Sequence, residues 1–245
     1  MKTYSYEGKE KTIEDFARML DLFRGQSKTK GNRFGKSLNM VNIAAGQRVL
    51  DVGCNFGHLS FLLFEKGFDV TAIDILDYQI EIANDLKCHL RIDSDRLRFR
   101  CMDLLESDLE PESFDHVIFL ETIEHVENPV AFLREMRRLL RPGGYLVVST
   151  PNALNTYYLM KQFYPNYAKL FKFIENEPGD SGTHTEHIFA WDIFTFYRLL
   201  HKCGFNYVQH DFVGLQVPFL LTIPFNLPAL SRFSRSMIFK VQKPF

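Results

Sequence analysis

Glu121, Glu124 and His125 bring two carboxylates and an imidazole into one short stretch of chain. Their i, i+3, i+4 spacing projects all three to one side if the segment turns helically. They could then act as general acid and base, or as ligands for a cation. A plainer reading of the same residues has Glu124 capping a turn and His125 packing beside a bound molecule. Whichever holds, something must fix the trio, and the apolar run Phe114 to Leu120 just ahead of it reads as a buried strand.

A second group works through backbone. In Val49-Leu-Asp-Val-Gly-Cys-Asn-Phe-Gly-His-Leu-Ser60, Gly53 ends a buried strand from Arg48 to Val52, and Gly57 opens a helix reaching Lys66. Glycine at these places lets a ligand approach the main chain closely. The order Gly53-x-Asn55-x-Gly57 departs from the G-x-G-x-x-G dinucleotide fingerprint, which weakens a nicotinamide reading. Asn55 can still keep the loop shape, because asparagine tolerates positive φ. Asp74 closes the next strand about 20 residues after Gly53, where a carboxylate can accept both ribose hydroxyl protons. Asp103, after a third strand, can accept from an adenine amine.

The elements that would hold these groups alternate. Strands are expected at Asp69 to Ile73 and Leu97 to Cys101, a helix between them at Tyr78 to Lys87, and a helix at Pro129 to Leu140. Pro142-Gly143-Gly144 then turns the chain into a strand from Tyr145 to Thr150. A helix from Asp192 to Lys202 and strands at Phe205 to Val213 and Met237 to Val241 finish it as an antiparallel hairpin. Ahead of the sheet, Lys11 to Arg24 reads as a helix and Ser27 to Lys36 as a basic loop. The fold class is therefore α/β: a Rossmann-like, mostly parallel sheet with helices on both faces, an antiparallel C-terminal strand and a capping insertion. Four parts are expected: an N-terminal helical cap (1–46), the cofactor-binding core (47–151), an aromatic substrate-capping insertion (152–190) and the C-terminal part of the sheet (191–245).

Composition excludes more than it selects. Hydrophobic residues at 46% and charged residues at 24% are ordinary globular values, and a net charge of −1 gives no field that would draw the whole chain to nucleic acid. Cys54, Cys88, Cys101 and Cys203 lie too far apart for a zinc or redox pair and are expected to be buried thiols. The polar start argues against secretion and for a cytoplasmic place. Leu215 to Leu230 is apolar but interrupted by Pro218, Pro224 and Pro228 and too short to span a bilayer.

Taken together, the glycine loop, Asp74, Asp103, Glu121-Thr-Ile-Glu-His-Val126 and Arg141-Pro-Gly-Gly-Tyr-Leu-Val-Val-Ser-Thr-Pro-Asn152 resemble class I S-adenosylmethionine methyltransferases. The resemblance covers about Gln47 to Asn152. It implies that Asp51 and Gly53 meet the methionine end of the cofactor, Asp74 the ribose, and Met102 with Asp103 the adenine. Cys54, Asn55, Gly57, Ile75 and Leu120 complete the implied contact set. The segment Glu186-His-Ile-Phe-Ala-Trp191 is similar to one in small-RNA 2′-O-methyltransferases, which bind a divalent ion through E-x-x-E-H and a later histidine. That similarity implies Glu121, Glu124, His125 and His187 as catalytic residues and ligands for Mg²⁺ or Mn²⁺, with His184 as a competitor to His187. Ala190 stands where the RNA enzymes place an acid. Ubiquinone-pathway O-methyltransferases share E-x-x-E-H as well. A small-molecule hydroxyl (sugar, phenol or secondary metabolite) is the leading acceptor. Methylation of an RNA 3′ end and a non-catalytic cofactor-binding protein are the alternatives, and a homodimer is left open.

Overall fold

A computed structural model describes residues 2–6, 8–28, 33–41, 46–155, 172, 187–214 and 233–245. Seven strands form the main sheet: β3 (Arg48–Val52), β4 (Asp69–Asp74), β5 (Leu97–Cys101), β6 (Phe114–Leu120), β7 (Leu140–Pro151), β8 (Asn206–Val213) and β9 (Ser236–Gln242). Their spatial order is β5-β4-β3-β6-β7-β9-β8. The first five are parallel neighbours, while β9 runs antiparallel to both β7 and β8. Strand order reverses between β3 and β6, so a crevice opens beyond their carboxyl ends, the usual ligand position in such sheets.

Side-chain alternation along the strands separates two cores. Val49, Val70 and Ala72 face one way, against Phe16 and Leu20 of α1 (Ile13–Ser27), Phe61 and Leu63 of α3 (His58–Glu65) and Ile82 and Leu86 of α4 (Asp77–His89). Leu50, Val52 and Phe119 face the other, against Leu133 and Met136 of α5 (Pro129–Leu139) and Phe196 and Leu200 of α6 (Ile193–Lys202). The helix starts follow local chemistry. Asn128 accepts from Ala131 N at 3.0 Å with Pro129 in the first turn of α5, and Asp192 accepts from Phe194 N at 2.8 Å and Thr195 N at 3.1 Å at α6.

Several expectations need correction. Thr3–Tyr6 (β1) and Lys9–Thr12 (β2) pair as an antiparallel hairpin that the polar, lysine-rich sequence hides. The expected loop Ser27 to Lys36 is in part helical, because α2 (Arg33–Met40) packs into the fold and buries Lys36, Ser37, Leu38 and Met40. Of the four cysteines, only Cys54 and Cys203 are buried. Cys88, near the end of α4, and Cys101, at the end of edge strand β5, are exposed. The aromatic stretch Tyr157 to Phe173 (Lys172 apart), His184 and the apolar segment 215–230 lie outside the described residues.

Two packing details carry predictions. Gly57 has φ 76°, and a Cβ there would run into the Phe99 ring. Gly57→Ala should lose roughly 1–3 kcal/mol, read as a lowered midpoint in thermal melts; a change within error would refute the packing argument.

His116, at the amino-terminal end of β6, has its Nε2 3.1 Å from Gln47 Oε1 and stacks on Tyr145. Burial pulls its pKa down from 6.5 to about 4, with Asp115 opposing and Lys240 and Arg141 assisting. Between those values the unfolded chain takes up a proton that the folded chain refuses. The His116 contribution is therefore complete above pH 6.5 and is lost as pH falls toward 4, amounting to a few kcal/mol at most. Urea unfolding at stepped pH should show wild type losing stability relative to His116→Gln across that window. Parallel curves would refute it.

Candidate functional site

At the crevice lies a cleft of about 500 Å³ walled by Asp51, Gly53, Cys54, Asn55, Asp74, Ile75, Leu120, Glu121, Thr122 and His125, and capped by Tyr6, Phe23, Arg33 and Phe34 from the N-terminal segments. Gly53, Asn55 and Gly57 all take left-handed backbone, with φ of 67°, 52° and 76°. Asparagine thus fills the middle position without breaking the turn. A Cβ on Gly53 would sit 2.7 Å from Thr122 Oγ1, so glycine is needed for the loop to pass the end of β6.

Asp74 closes the far wall. Its carboxylate accepts from Asn55 N at 2.9 Å and Leu76 N at 3.1 Å, which aims it into the cleft while leaving lone pairs for a diol. Asp51 is buried and accepts from Ser60 Oγ at 2.6 Å. Burial raises its pKa to about 7, against the pull of the Ser60 hydroxyl and with help from the Asp74 charge. Met102 and Asp103 do not line the cleft; they follow β5 beside it, Met102 N donating to Asp74 O at 2.9 Å and Asp103 capping the turn at Leu105.

The segment after β6 is a tight turn rather than a helix, with His125 N donating to Thr122 O at 3.0 Å. Ile123 is anchored in the core, and the turn directs Glu124 and Glu121 differently. Glu121, in left-handed backbone with φ 49°, accepts from Ser149 Oγ at 2.8 Å and Ser236 Oγ at 3.0 Å and faces Arg33 at 3.3 Å. Glu124 is fully buried. Its main-chain carbonyl accepts from Ile188 N and Phe189 N, which draws His187 alongside. Glu124 Oε1 stands 4.0 Å from His125 Nε2 and 3.9 Å from His187 Nε2, and the two imidazoles meet edge to face at 4.7 Å.

Donor atoms of Glu124, His125 and His187 all lie within 4.8 Å of one another. Glu121 stands outside that group, held by its serines. Two ligands each roughly 2.2 Å from one ion can be about 4.4 Å apart, so both Glu124–histidine separations fit a shared cation. Neither Glu124 oxygen has a hydrogen bond of normal geometry among the described residues. Burial, and then the Glu121 charge, raise its pKa to about 8, against its own backbone N–H, the Thr150 hydroxyl and Arg33. A buried carboxylate short of partners beside two imidazoles is the donor set expected to take a cation.

The basic segment 27–36 expected ahead of the sheet reaches the cleft through Arg33, whereas Tyr6 and Phe34 of the cap, and His58 behind the loop, carried no expectation. For the cap, the available signal was the apolar spacing Phe34, Leu38, Val41, which is helical.

A family model for the methyltransferase domain matches residues 13–210. The ubiquinone biosynthesis O-methyltransferase of Idiomarina loihiensis is 33% identical over 131 residues, 53% of this chain and 53% of its own. That of Xanthomonas euvesicatoria pv. vesicatoria is 40% identical over 110 residues, 44% of each. The chain spans about half the length of the curated relatives it matches. A solved S-adenosylmethionine-dependent methyltransferase from Methanosarcina mazei shares the fold with a TM-score of 0.60 and 20% identity, over 85% of this chain and 97% of that one. By the extent of the family match, the chain belongs to the methyltransferase-domain family.

Proposed function

We propose that the protein transfers the methyl group of S-adenosylmethionine to a hydroxyl of a small molecule that carries two adjacent hydroxyls. The observation that carries the reading is the buried Glu124 carboxylate, flanked by His125 and His187, with His125 on the wall of the cleft that the Gly53 loop and Asp74 also line. The names of the curated relatives support oxygen as the accepting atom.

Methyl transfer from a sulfonium is an in-line displacement, so the chain has to align donor and acceptor and see a proton removed from the hydroxyl. The Gly53 loop and Asp74 would hold the cofactor; Glu124, His125 and His187 would hold a divalent cation. Such an ion, when bound, lowers the pKa of a coordinated hydroxyl and fixes both oxygens of a diol. With its lone pair on the ion His125 would position the metal, and the acidified hydroxyl would lose its proton to solvent; without an ion, His125, exposed on the cleft wall, is the base. Glu121 would keep the turn in place from its serine and arginine contacts rather than act on the acceptor.

Calorimetry with S-adenosylmethionine and, separately, a nicotinamide dinucleotide tests the cofactor. Micromolar-range binding of the first and none of the second is expected, and the reverse would end the reading. Activity on catechol-type acceptors should vanish with a chelator and return with Mg²⁺ or Mn²⁺. Chelator-insensitive turnover would leave His125 as an unaided base and remove the diol requirement.

A further inference from the structure

The chain turns from β4 into α4 within a few residues. Asp74 ends the strand, Leu76 is the cap, and Gln79 is the third residue of the helix. A glutamine at that position folds back toward the chain ahead of the helix, as the acid of a capping box does. Here it reaches past the cap to Asp74. With its nitrogen toward the carboxylate, the Gln79 amide donates to Oδ2 at 3.1 Å and to Oδ1 at 3.2 Å, while its carbonyl accepts from Tyr78 Oη at 3.1 Å. The opposite orientation would set an amide oxygen against two carboxylate oxygens, so the neighbours select the first. Gln79 and Asp74 are 8% and 9% exposed and line the same cleft.

A carboxylate accepts about four hydrogen bonds, two on each oxygen. On Asp74, Asn55 N takes one place on Oδ2 and Leu76 N takes one on Oδ1. The Gln79 amide lies across the two that remain. A ribose offers its two hydroxyls to those same places, and both sets of donors do not fit. Each hydrogen bond that a diol gains on Asp74 is therefore one that the protein gives up.

We propose that Gln79 competes with the two hydroxyls of the nucleoside for the Asp74 carboxylate, and so restrains cofactor affinity and eases release of the demethylated product. The inference rests on the cofactor reading above and deepens it. A ligand with both hydroxyls replaces the amide on both oxygens. One with a single hydroxyl replaces it on one, and one with neither leaves it in place. Removing the amide helps ligands in proportion to the hydroxyls they carry. Water takes over part of the carboxylate once the amide is gone, which keeps the gain modest.

The test compares adenosine, 2′-deoxyadenosine and 2′,3′-dideoxyadenosine, which differ only in those hydroxyls. Gln79→Met keeps a helix-forming side chain of similar length and removes the amide. Calorimetry should show the variant tightening adenosine by about three- to tenfold, tightening 2′-deoxyadenosine by less, and leaving 2′,3′-dideoxyadenosine within roughly twofold of wild type. Weaker adenosine binding would make Gln79 a ligand contact rather than a competitor. An equal change for all three would make it a helix cap, and no change would leave the amide without a part in binding; each of these results overturns the proposal. Tyr78→Phe is the second variant, at an exposed position where the ring stays and the hydroxyl that holds the Gln79 carbonyl goes. It should tighten adenosine by a smaller factor, so if Gln79→Met fails to fold, unchanged or weakened adenosine binding by Tyr78→Phe overturns the proposal. If the unaltered protein binds neither adenosine nor S-adenosylhomocysteine, the cofactor reading itself falls and takes the competition with it. Intact S-adenosylhomocysteine binding with a silent Gln79→Met overturns the competition alone.

Discussion

Glu124→Gln is expected to lower methyl transfer by about 10²- to 10⁴-fold while S-adenosylmethionine affinity stays within a few-fold of wild type. Glutamine keeps the volume of the side chain, so the fully buried position is still filled and the turn below it is undisturbed. What it loses is an acid able to give up its proton and ligate a cation, the feature that distinguishes Glu124 from a packing residue beside His125 and His187. Transfer of labelled methyl, measured beside calorimetric binding of Mg²⁺ or Mn²⁺, separates the causes. Loss of both turnover and ion binding supports a ligand role, whereas loss of turnover with ion affinity intact assigns the carboxylate to proton handling. Turnover within about threefold of wild type would remove Glu124 from the chemistry.

Asp74→Asn should weaken S-adenosylhomocysteine binding by about 10- to 150-fold, the equivalent of roughly 1.5–3 kcal/mol for hydrogen bonds to a charged group. Asparagine retains one oxygen and can still accept from Asn55 N or Leu76 N, so much of the loop geometry survives. An amide cannot accept protons from both ribose hydroxyls while holding those backbone groups. Adenosine, which carries the same ribose and no amino acid, should lose affinity in parallel. A silent Asp74→Asn, or a loss seen only with the longer ligand, would contradict the ribose assignment.

Much of this was legible because it is written in local chemistry. The buried runs at Val49, Val70, Leu97, Val117 and Val147 sit between turns and helices, so five parallel strands could be read in order. Asn55 was readable because so few residues accept its backbone conformation, and the structure gives it φ 52°. Other features are set by distant partners. Nothing near Glu121 foretells that Ser149 and Ser236, on two other strands, will take its oxygens. The spacing of Glu121, Glu124 and His125 suits a helix and a tight turn equally, and the backbone bonds from Ile188 and Phe189 help to hold the turn beside His187. The hairpin at the start has strands of Thr-Tyr-Ser-Tyr and Lys-Glu-Lys-Thr, with weak strand propensity in the second. It is fixed by Lys2 reaching Glu81 and Asp85, and by Tyr4 and Tyr6 packing edge-on against Phe16.

The position of β9 between β7 and β8 has a consequence for how the chain assembles. Strands β3 to β7 can join a growing parallel sheet as they become available, each by a short crossover. The next strand in sequence, β8, has no earlier strand to dock on, because its one neighbour among the described strands is β9. Until β9 arrives, β7 remains an open edge whose backbone groups from Tyr145 to Pro151 lack the partners that β9 supplies in the finished molecule. On a ribosome that interval lasts for as long as the residues from Asn152 to Gln242 take to emerge. It is the stage at which edge-to-edge association between nascent copies would compete with folding.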